Sequence, residues 1–236
     1  MKNGGIENAK KALIKKLKTK GPISFYEFMK ELLYGEFGYY TKFVSFGKKG
    51  DFITSPTVGD IFGRTVFNAV REMLSITGSS TLVEVGAGEG SFVKSIIKKA
   101  EETSYPIEYI AIEKSAKLRE NLKNLRIEVF EDISELPDNN IKGVIFLNEL
   151  LDAFPVYIIE SYDNKLYEIF IDVSNDELVE VKFPIENSEI IRYIEELNIT
   201  LDDGFRLEVN LDAVKFLSEC YRVLNKGFVI IIDYGY

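Results

Sequence analysis

With 236 residues, 46% hydrophobic and 28% charged, the chain is long enough for one globular domain or one domain with an appendage, and no apolar run nears the ~20 residues of a membrane span. The net charge of −9 argues against a nucleic-acid backbone as main partner, and a lone cysteine, Cys220, excludes an internal disulfide and fits core filling on a helix in a reducing, cytoplasmic setting. The absence of histidine removes histidine triads, histidine metal sites and histidine general bases together, so proton transfer would fall to carboxylates, tyrosines or lysines.

The start, Met1-Lys2-Asn3-Gly4-Gly5, is followed by no uninterrupted apolar segment, so no secretory leader is expected. Ile6, Ala9, Leu13, Ile14 and Leu17 recur at helical spacing with lysines elsewhere, which predicts an amphipathic helix ended by Gly21-Pro22. Ser24 with Glu27 predicts a capping box for a second helix reaching about Leu33. An aromatic, glycine-rich stretch from Tyr34 to Pro56 is too long and irregular for filler. Ile61, Phe62, Val66, Phe67, Val70 and Leu74 then mark a helix over about 58–77.

From residue 81 the pattern alternates. Strands are expected at 82–85, 108–112, 126–130, 142–147 and 227–233, with helices such as 92–102, 115–125 and 211–224 between them. Alternation of this kind predicts an α/β fold with a parallel sheet and right-handed crossovers. The exception is 156–183, which reads as an antiparallel β insertion with turns at Tyr162–Lys165 and Ser174–Asp176. The expected division is therefore 1–78, helices and a loop, and 79–236, the α/β core with its insertion.

The stretch Thr81-Leu-Val-Glu84-Val-Gly86-Ala87-Gly88-Glu-Gly90-Ser-Phe92 carries the sharpest signal. A strand ends in an acid, glycines follow at every second position, and a helix begins. A pyrophosphate-binding turn spaces its glycines G-x-G-x-x-G and would be repelled by Glu84, whereas a cationic cofactor suits that acid. The stretch resembles motif I of the class I S-adenosylmethionine (SAM) methyltransferases, whose cofactor presents an ammonium and a sulfonium. An ordinary glycine-rich turn is the plain alternative.

In an open parallel sheet, ligands bind beyond the carboxyl ends of the strands. The second strand ends at Glu113, whose carboxylate suits ribose hydroxyls, with Ser115 a rival reading as helix cap. The third ends at Phe130-Glu131-Asp132-Ile133, where Asp132 is expected to receive an adenine amino group and Ile133 to lie on the ring, or Asp132 caps the next turn. The fourth ends in Asn148-Glu149-Leu150-Leu151-Asp152-Ala153-Phe154-Pro155, where Asn148, Glu149 and Asp152 stand where substrate meets a methyl donor, or else form a cap and stop.

Four blocks together resemble the MidA-like SAM-dependent methyltransferase family, which includes the mitochondrial complex I assembly-factor arginine methyltransferase. They are Leu33-Tyr34-Gly35-Glu36-Phe37-Gly38-Tyr39-Tyr40, Gly50-Asp51-Phe52-Ile53-Thr54-Ser55-Pro56, motif I, and Asn148 to Val156. Ile232-Asp233-Tyr234-Gly235-Tyr236 is a shorter fifth. The resemblance implies a Rossmann-like class I fold with an N-terminal helical extension and a loop over the cofactor. Gly50, Asp51, Thr54, Ser55 and Pro56 would line the SAM site from that loop, beside Glu84, Gly86, Ala87, Gly88 and Gly90. It also implies a protein substrate presenting an arginine, while charge and the lack of a long apolar run leave neither nucleic acid nor membrane as an expected partner.

Gly86-Ala87-Gly88 departs mildly from the family's frequent Gly-Pro-Gly. The chain also stops where the family supplies the last strands of a seven-stranded sheet. Those C-terminal strands are expected to be missing, which leaves strand five as an edge in a truncated form or covers it by an interface such as a homodimer.

An arginine acceptor is cationic and weakly nucleophilic, so Glu149 and Asp152 are expected to clamp it and localise its electrons, with Asn148 orienting it. Tyr34, Tyr39 and Tyr40 serve equally well as channel wall or packing. Methylation of a small molecule, a non-catalytic assembly scaffold and, more distantly, a nicotinamide-dependent oxidoreductase are the competing readings.

Overall fold

The computed structural model describes residues 2–36, 38–39 and 60–234. From the amino terminus run helix α1 (Lys2–Lys20), strand β1 (Ile23–Ser24), helix α2 (Phe25–Tyr34) and helix α3 (Asp60–Thr77). Strand and helix then alternate through β2 (Thr81–Val85), α4 (Ser91–Glu102), β3 (Glu108–Ile112), α5 (Ala116–Lys123), β4 (Glu128–Phe130) and β5 (Ile141–Asn148). Antiparallel strands β6 (Tyr157–Tyr162), β7 (Lys165–Ser174) and β8 (Glu177–Pro184) follow, then α6 (Ser188–Glu196) and β9 (Arg206–Val209). Helix α7 (Leu211–Val223) and strand β10 (Leu224–Ile232) complete the described elements.

The chain divides into two compact units, residues 1–44 with 153–214 and residues 45–152 with 215–236. The boundary near residue 78 expected from the sequence does not coincide with this division. Packing gives the reason. In α3, Phe67, Val70 and Leu74 are fully buried and cluster with Leu82, Phe92 and Phe146 of the parallel sheet unit. In α1, Leu13 and Leu17 cluster instead with Ile23 and with Ile171 of β7. Each helix therefore joins the sheet that covers its apolar stripe.

The unit formed by 45–152 and 215–236 holds a wholly parallel sheet in the order β10-β5-β2-β3-β4. Its central strands β2 and β5 are near-continuous buried apolar runs, as burial on both faces requires, while the edge strands β4 and β10 are more exposed. Phe92 stacks on Phe146 with ring centroids 4.4 Å apart, both essentially buried. On the opposite face Val83, Ile145 and Leu147 pack with Cys220 and Val223 of α7. Burial pushes the Cys220 thiol up to about 12, which fits an inert core side chain. Among the described residues β10 pairs with β5 alone, so the fifth strand stands at a sheet edge as expected. The strand expected over 126–130 begins only at Glu128, because Arg126 takes a left-handed turn conformation with φ 58°.

In the other unit β7 pairs antiparallel with β6, β8 and β1, and β9 adds to β6. One half of the expected capping box is seen at the start of α2, where the Ser24 hydroxyl accepts the Glu27 amide at 3.2 Å. Strands β1 and β9 and helix α6 extend the insertion beyond the expected 156–183. No helix among the described residues is long and apolar enough to cross a membrane.

Candidate active site

Strand register places the candidate residues in one row. Val85 lies opposite Ile112 and Leu147, Ile112 opposite Phe130, and Asn148 opposite Ile232. The residues that leave these ends are Gly86, Glu113, Glu131, Glu149 and Asp233. The strand order turns back between β2 and β5, the position where open parallel sheets bind ligands.

After β2 the chain makes a tight turn in which Gly86, Gly88 and Gly90 all have positive φ, at 76°, 54° and 74°. At two of these positions an added side chain would also press on leucine methyls. A Cβ on Gly90 would lie 2.8 Å from Leu122 and 3.1 Å from Leu125, and one on Gly86 would lie 3.0 Å from Leu150. Leu150 thus brings the loop after β5 onto the glycine turn. The Gly88 amide donates to Glu113 Oε2 at 2.9 Å, and the Ser115 amide donates to Glu113 Oε1 at 2.8 Å. The Glu113 carboxylate is therefore fixed by two backbone donors, with one lone pair left on each oxygen. Ser115 stands at the N-cap of α5, as the rival reading expects, but its hydroxyl makes no cap bond there.

Glu84 is 5% exposed, and the Tyr109 hydroxyl donates to its Oε2 at 2.6 Å. Burial pushes this carboxyl up to about 7, the Tyr109 hydrogen bond opposes that, and the Glu113 charge adds to it. Glu84 is a buried, hydrogen-bonded carboxyl two residues before Gly86.

Beyond β4, Asp132 Oδ1 accepts the Ser134 amide at 2.9 Å, and the Glu135 carboxylate returns to the Asp132 amide. These bonds form a capping box for a 3-10 turn, Ile133–Glu135, and they hold the Asp132 carboxyl below its usual range with help from Lys114. The capping alternative is the one the structure displays. Ile133 is 3% exposed among Val85, Ile112 and Leu147, which leaves it no open face for a base. Arg119 donates to the Glu113 carbonyl and to Glu131, tying the ends of β3 and β4 together.

The end of β5 is the most constrained stretch. Asn148 Oδ1 is buried with no hydrogen-bond partner. Glu149 has φ 49°, a left-handed conformation uncommon outside glycine, while its amide donates to the Ile232 carbonyl at 2.8 Å. Asp152 follows in a 3-10 turn, Leu151–Ala153, whose first two amides are accepted by Asp233. Asp233 and Tyr234 fall in the short fifth block of the resemblance, Ile232 to Tyr236, but are given no site role there; the structure places them at the end of the strand beside β5. Gly50, Asp51, Thr54, Ser55 and Pro56 lie outside the described residues. A groove of about 770 Å³ lined by Glu101, Tyr105, Glu108, Arg126 and Glu128 opens at the opposite, amino-terminal ends of β3 and β4, and contains none of these groups.

The residues present fit SAM. Glu113 offers a fixed pair of acceptors for ribose hydroxyls, and Asn148 holds an unsatisfied acceptor where a cationic donor is wanted. A parallel sheet in this order, with a glycine turn after one central strand and a carboxylate after the next, defines the Rossmann-like fold of class I SAM-dependent methyltransferases. Residues 61–236 match the family described as "Putative S-adenosyl-L-methionine-dependent methyltransferase". The chain belongs to that family.

Among curated proteins, the human mitochondrial protein arginine methyltransferase NDUFAF7 is 27% identical over 95% of this chain and 58% of its own length. The Drosophila melanogaster homologue is 27% identical over 96% of this chain and 60% of its own. The chain thus spans about three fifths of these relatives. A COG1565 superfamily member from Burkholderia thailandensis, solved with S-adenosyl-homocysteine bound, superposes with a TM-score of 0.82 at 23% identity, over 99% of this chain and 64% of that one, and shares the fold. The curated relatives are named mitochondrial, which overturns the cytoplasmic setting read from composition.

Proposed function

We propose that the chain binds SAM at the β2–β3 end of the sheet and methylates an arginine side chain of a protein. The observation that carries this reading is the group of carboxylates at the end of β5, Glu149 and Asp152, held by Asp233 and set against the glycine turn through Leu150. The relatives named protein arginine methyltransferases support the acceptor class.

SAM, when bound, supplies a methyl group on a sulfonium, an electrophile that needs no further activation. The protein's task is then alignment, which can be worth several kcal/mol of barrier. Glu113 holds the ribose end. Asn148 presents its carbonyl oxygen toward a cationic donor. Glu149 and Asp152 accept N–H groups of the guanidinium and draw its positive charge away from the attacking nitrogen. Transfer would form the N–C bond as the methyl's S–C bond breaks, leaving neutral S-adenosyl-homocysteine; one proton would then leave the methylated nitrogen, and Glu149 would be the carboxylate to take it.

The experiment is calorimetric titration with SAM and, separately, NADH, followed by incubation of lysate proteins with radiolabelled SAM and amino-acid analysis of the protein hydrolysate. SAM binding with labelled methylarginine supports the reading. Label confined to small molecules moves the acceptor class to metabolites, and binding of neither cofactor overturns the enzyme reading in favour of a scaffold.

A further inference from the structure

Among the described residues, one buried side-chain polar atom lacks a hydrogen-bond partner, and it is Asn148 Oδ1. Native folds leave few such atoms, and each asks for a reason. The other polar side chains at these strand ends are engaged. Glu113 accepts two amides, Asp132 caps its turn, and Asp233 accepts the amides of Leu151, Asp152 and Tyr234.

The surroundings of Asn148 are apolar. Strand alternation puts it on the face of β5 that carries Val144 and Phe146, both fully buried in the cluster formed with α3 and α4. Phe146 stacks on Phe92, the second residue of the helix that the glycine turn opens. Asn148 follows Leu147, the partner of Val85, so it stands one strand from the turn, and on its other side it pairs with Ile232. Glu113 lies two strands away in the same row. With water kept off, the dipole of the Asn148 carbonyl acts unscreened.

That oxygen accepts and has no proton to give. SAM and S-adenosyl-homocysteine differ at one place. The sulfur of SAM is a positive sulfonium that polarises its methyl C–H groups toward an oxygen, whereas the sulfur of the spent form is neutral and carries a further lone pair. A dry carbonyl oxygen attracts the first and repels the second. The sulfur is one methylene from the ribose ring, so Glu113 meets what the two forms share.

We propose that Asn148 is a specificity-determining residue that reads the charge on the cofactor's sulfur, so that the site favours SAM and lets S-adenosyl-homocysteine leave. This rests on the reading of the site as a SAM site. It gives Asn148 a role toward the spent donor as well, in place of the acceptor-orienting role expected from the sequence.

The test is calorimetry with two probes, SAM and S-adenosyl-homocysteine, on the wild type, Asn148→Leu and Asn148→Asp, with melting temperatures measured beside it. Asn148→Leu keeps the volume and removes the oxygen. SAM affinity should fall about tenfold, while that for S-adenosyl-homocysteine stays within about twofold of the wild type. Asn148→Asp puts an anion in the same place, so the ratio of the two affinities should move about tenfold toward SAM. Opposite shifts of the ratio are a result that a packing role would not produce. A ratio that stays put, or moves the same way in both variants, overturns the proposal and leaves the cofactor reading standing. If one variant does not fold, the shift in the other decides. A wild type that binds neither probe overturns the cofactor reading, and this inference with it.

Discussion

Tyr109 donates a 2.6 Å hydrogen bond to Glu84, two residues before Gly86, in a place where both side chains are 5% exposed. The bond joins neighbouring parallel strands β2 and β3 on one face. It keeps a buried carboxyl from being an orphan, because burial and the neighbouring Glu84 hold the Tyr109 phenol protonated. A buried polar pair of this kind is satisfied or expensive, with little between.

Stability should therefore fall with rising pH on account of Glu84. Its folded value of about 7 exceeds the ~4.3 of an unfolded glutamate, so the folded state holds the proton longer. The contribution is complete below about pH 4.3 and is lost as pH rises through about 7. Glu84→Gln, which can still accept from Tyr109, should flatten that slope. The difference in unfolding free energy between about pH 5 and about pH 8 should shrink by up to about 3 kcal/mol, read from denaturant unfolding at each pH. An unchanged slope would place the titration elsewhere.

Gly90→Ala should cost about 2–4 kcal/mol, the sum of a left-handed alanine and an overpacked contact with Leu122 and Leu125. Gly21→Ala is the matched control. Gly21 has a similar φ of 85°, but nothing lies within 4 Å of the added methyl, so only the backbone strain of about 1–2 kcal/mol remains. Equal losses at the two sites would show that packing against α5 contributes nothing to the turn.

Glu113 and Asp132 should separate when each is changed to alanine. Loss of Glu113 frees the Gly88 and Ser115 amides and removes both acceptors, so SAM affinity should drop at least about tenfold by calorimetry. Loss of Asp132 removes a cap worth about 0.5–2 kcal/mol of stability and should leave that affinity nearly unchanged. A comparable affinity loss in the Asp132 variant would restore its expected contact with adenine.

Glu149→Gln should bind SAM within about twofold of the wild type and transfer methyl at least about a hundredfold more slowly, because the amide neither clamps a guanidinium as an anion nor takes its proton. Collapse of SAM affinity in this variant would move Glu149 to the cofactor side of the site.

Whatever depends on neighbours within a few residues is legible in the sequence. The Ser24–Glu27 cap, the glycine turn, the alternating strands and the row of carboxylates at their ends are all local patterns, and the parallel order follows from them. Three features are not local. Tyr109 is 25 residues from Glu84, and Asp233 is 82 from Leu151, so no window of sequence shows either bond. Ile133 neighbours the expected adenine site in sequence, yet its side chain is claimed by the core between Val85 and Leu136. The grouping of α1 with β7 depends on matching Leu13 and Leu17 to Ile171, 158 and 154 residues away, reinforced by the exposed pairs Lys10–Glu177 and Lys18–Asp176.

The Asp233 cap also sets a timetable. During synthesis the glycine turn and Glu113 emerge with their partners close behind, so the cofactor half of the site can assemble early. The amides of Leu151 and Asp152 must wait for a carboxylate 82 and 81 residues downstream, about 4–16 s at ribosomal speeds. Until then Glu149 has neither the Ile232 carbonyl nor the Asp233 cap to hold its left-handed backbone. A nascent chain interrupted in that interval would hold the glycine turn and Glu113 in place while lacking the Ile232 and Asp233 bonds that fix the end of β5.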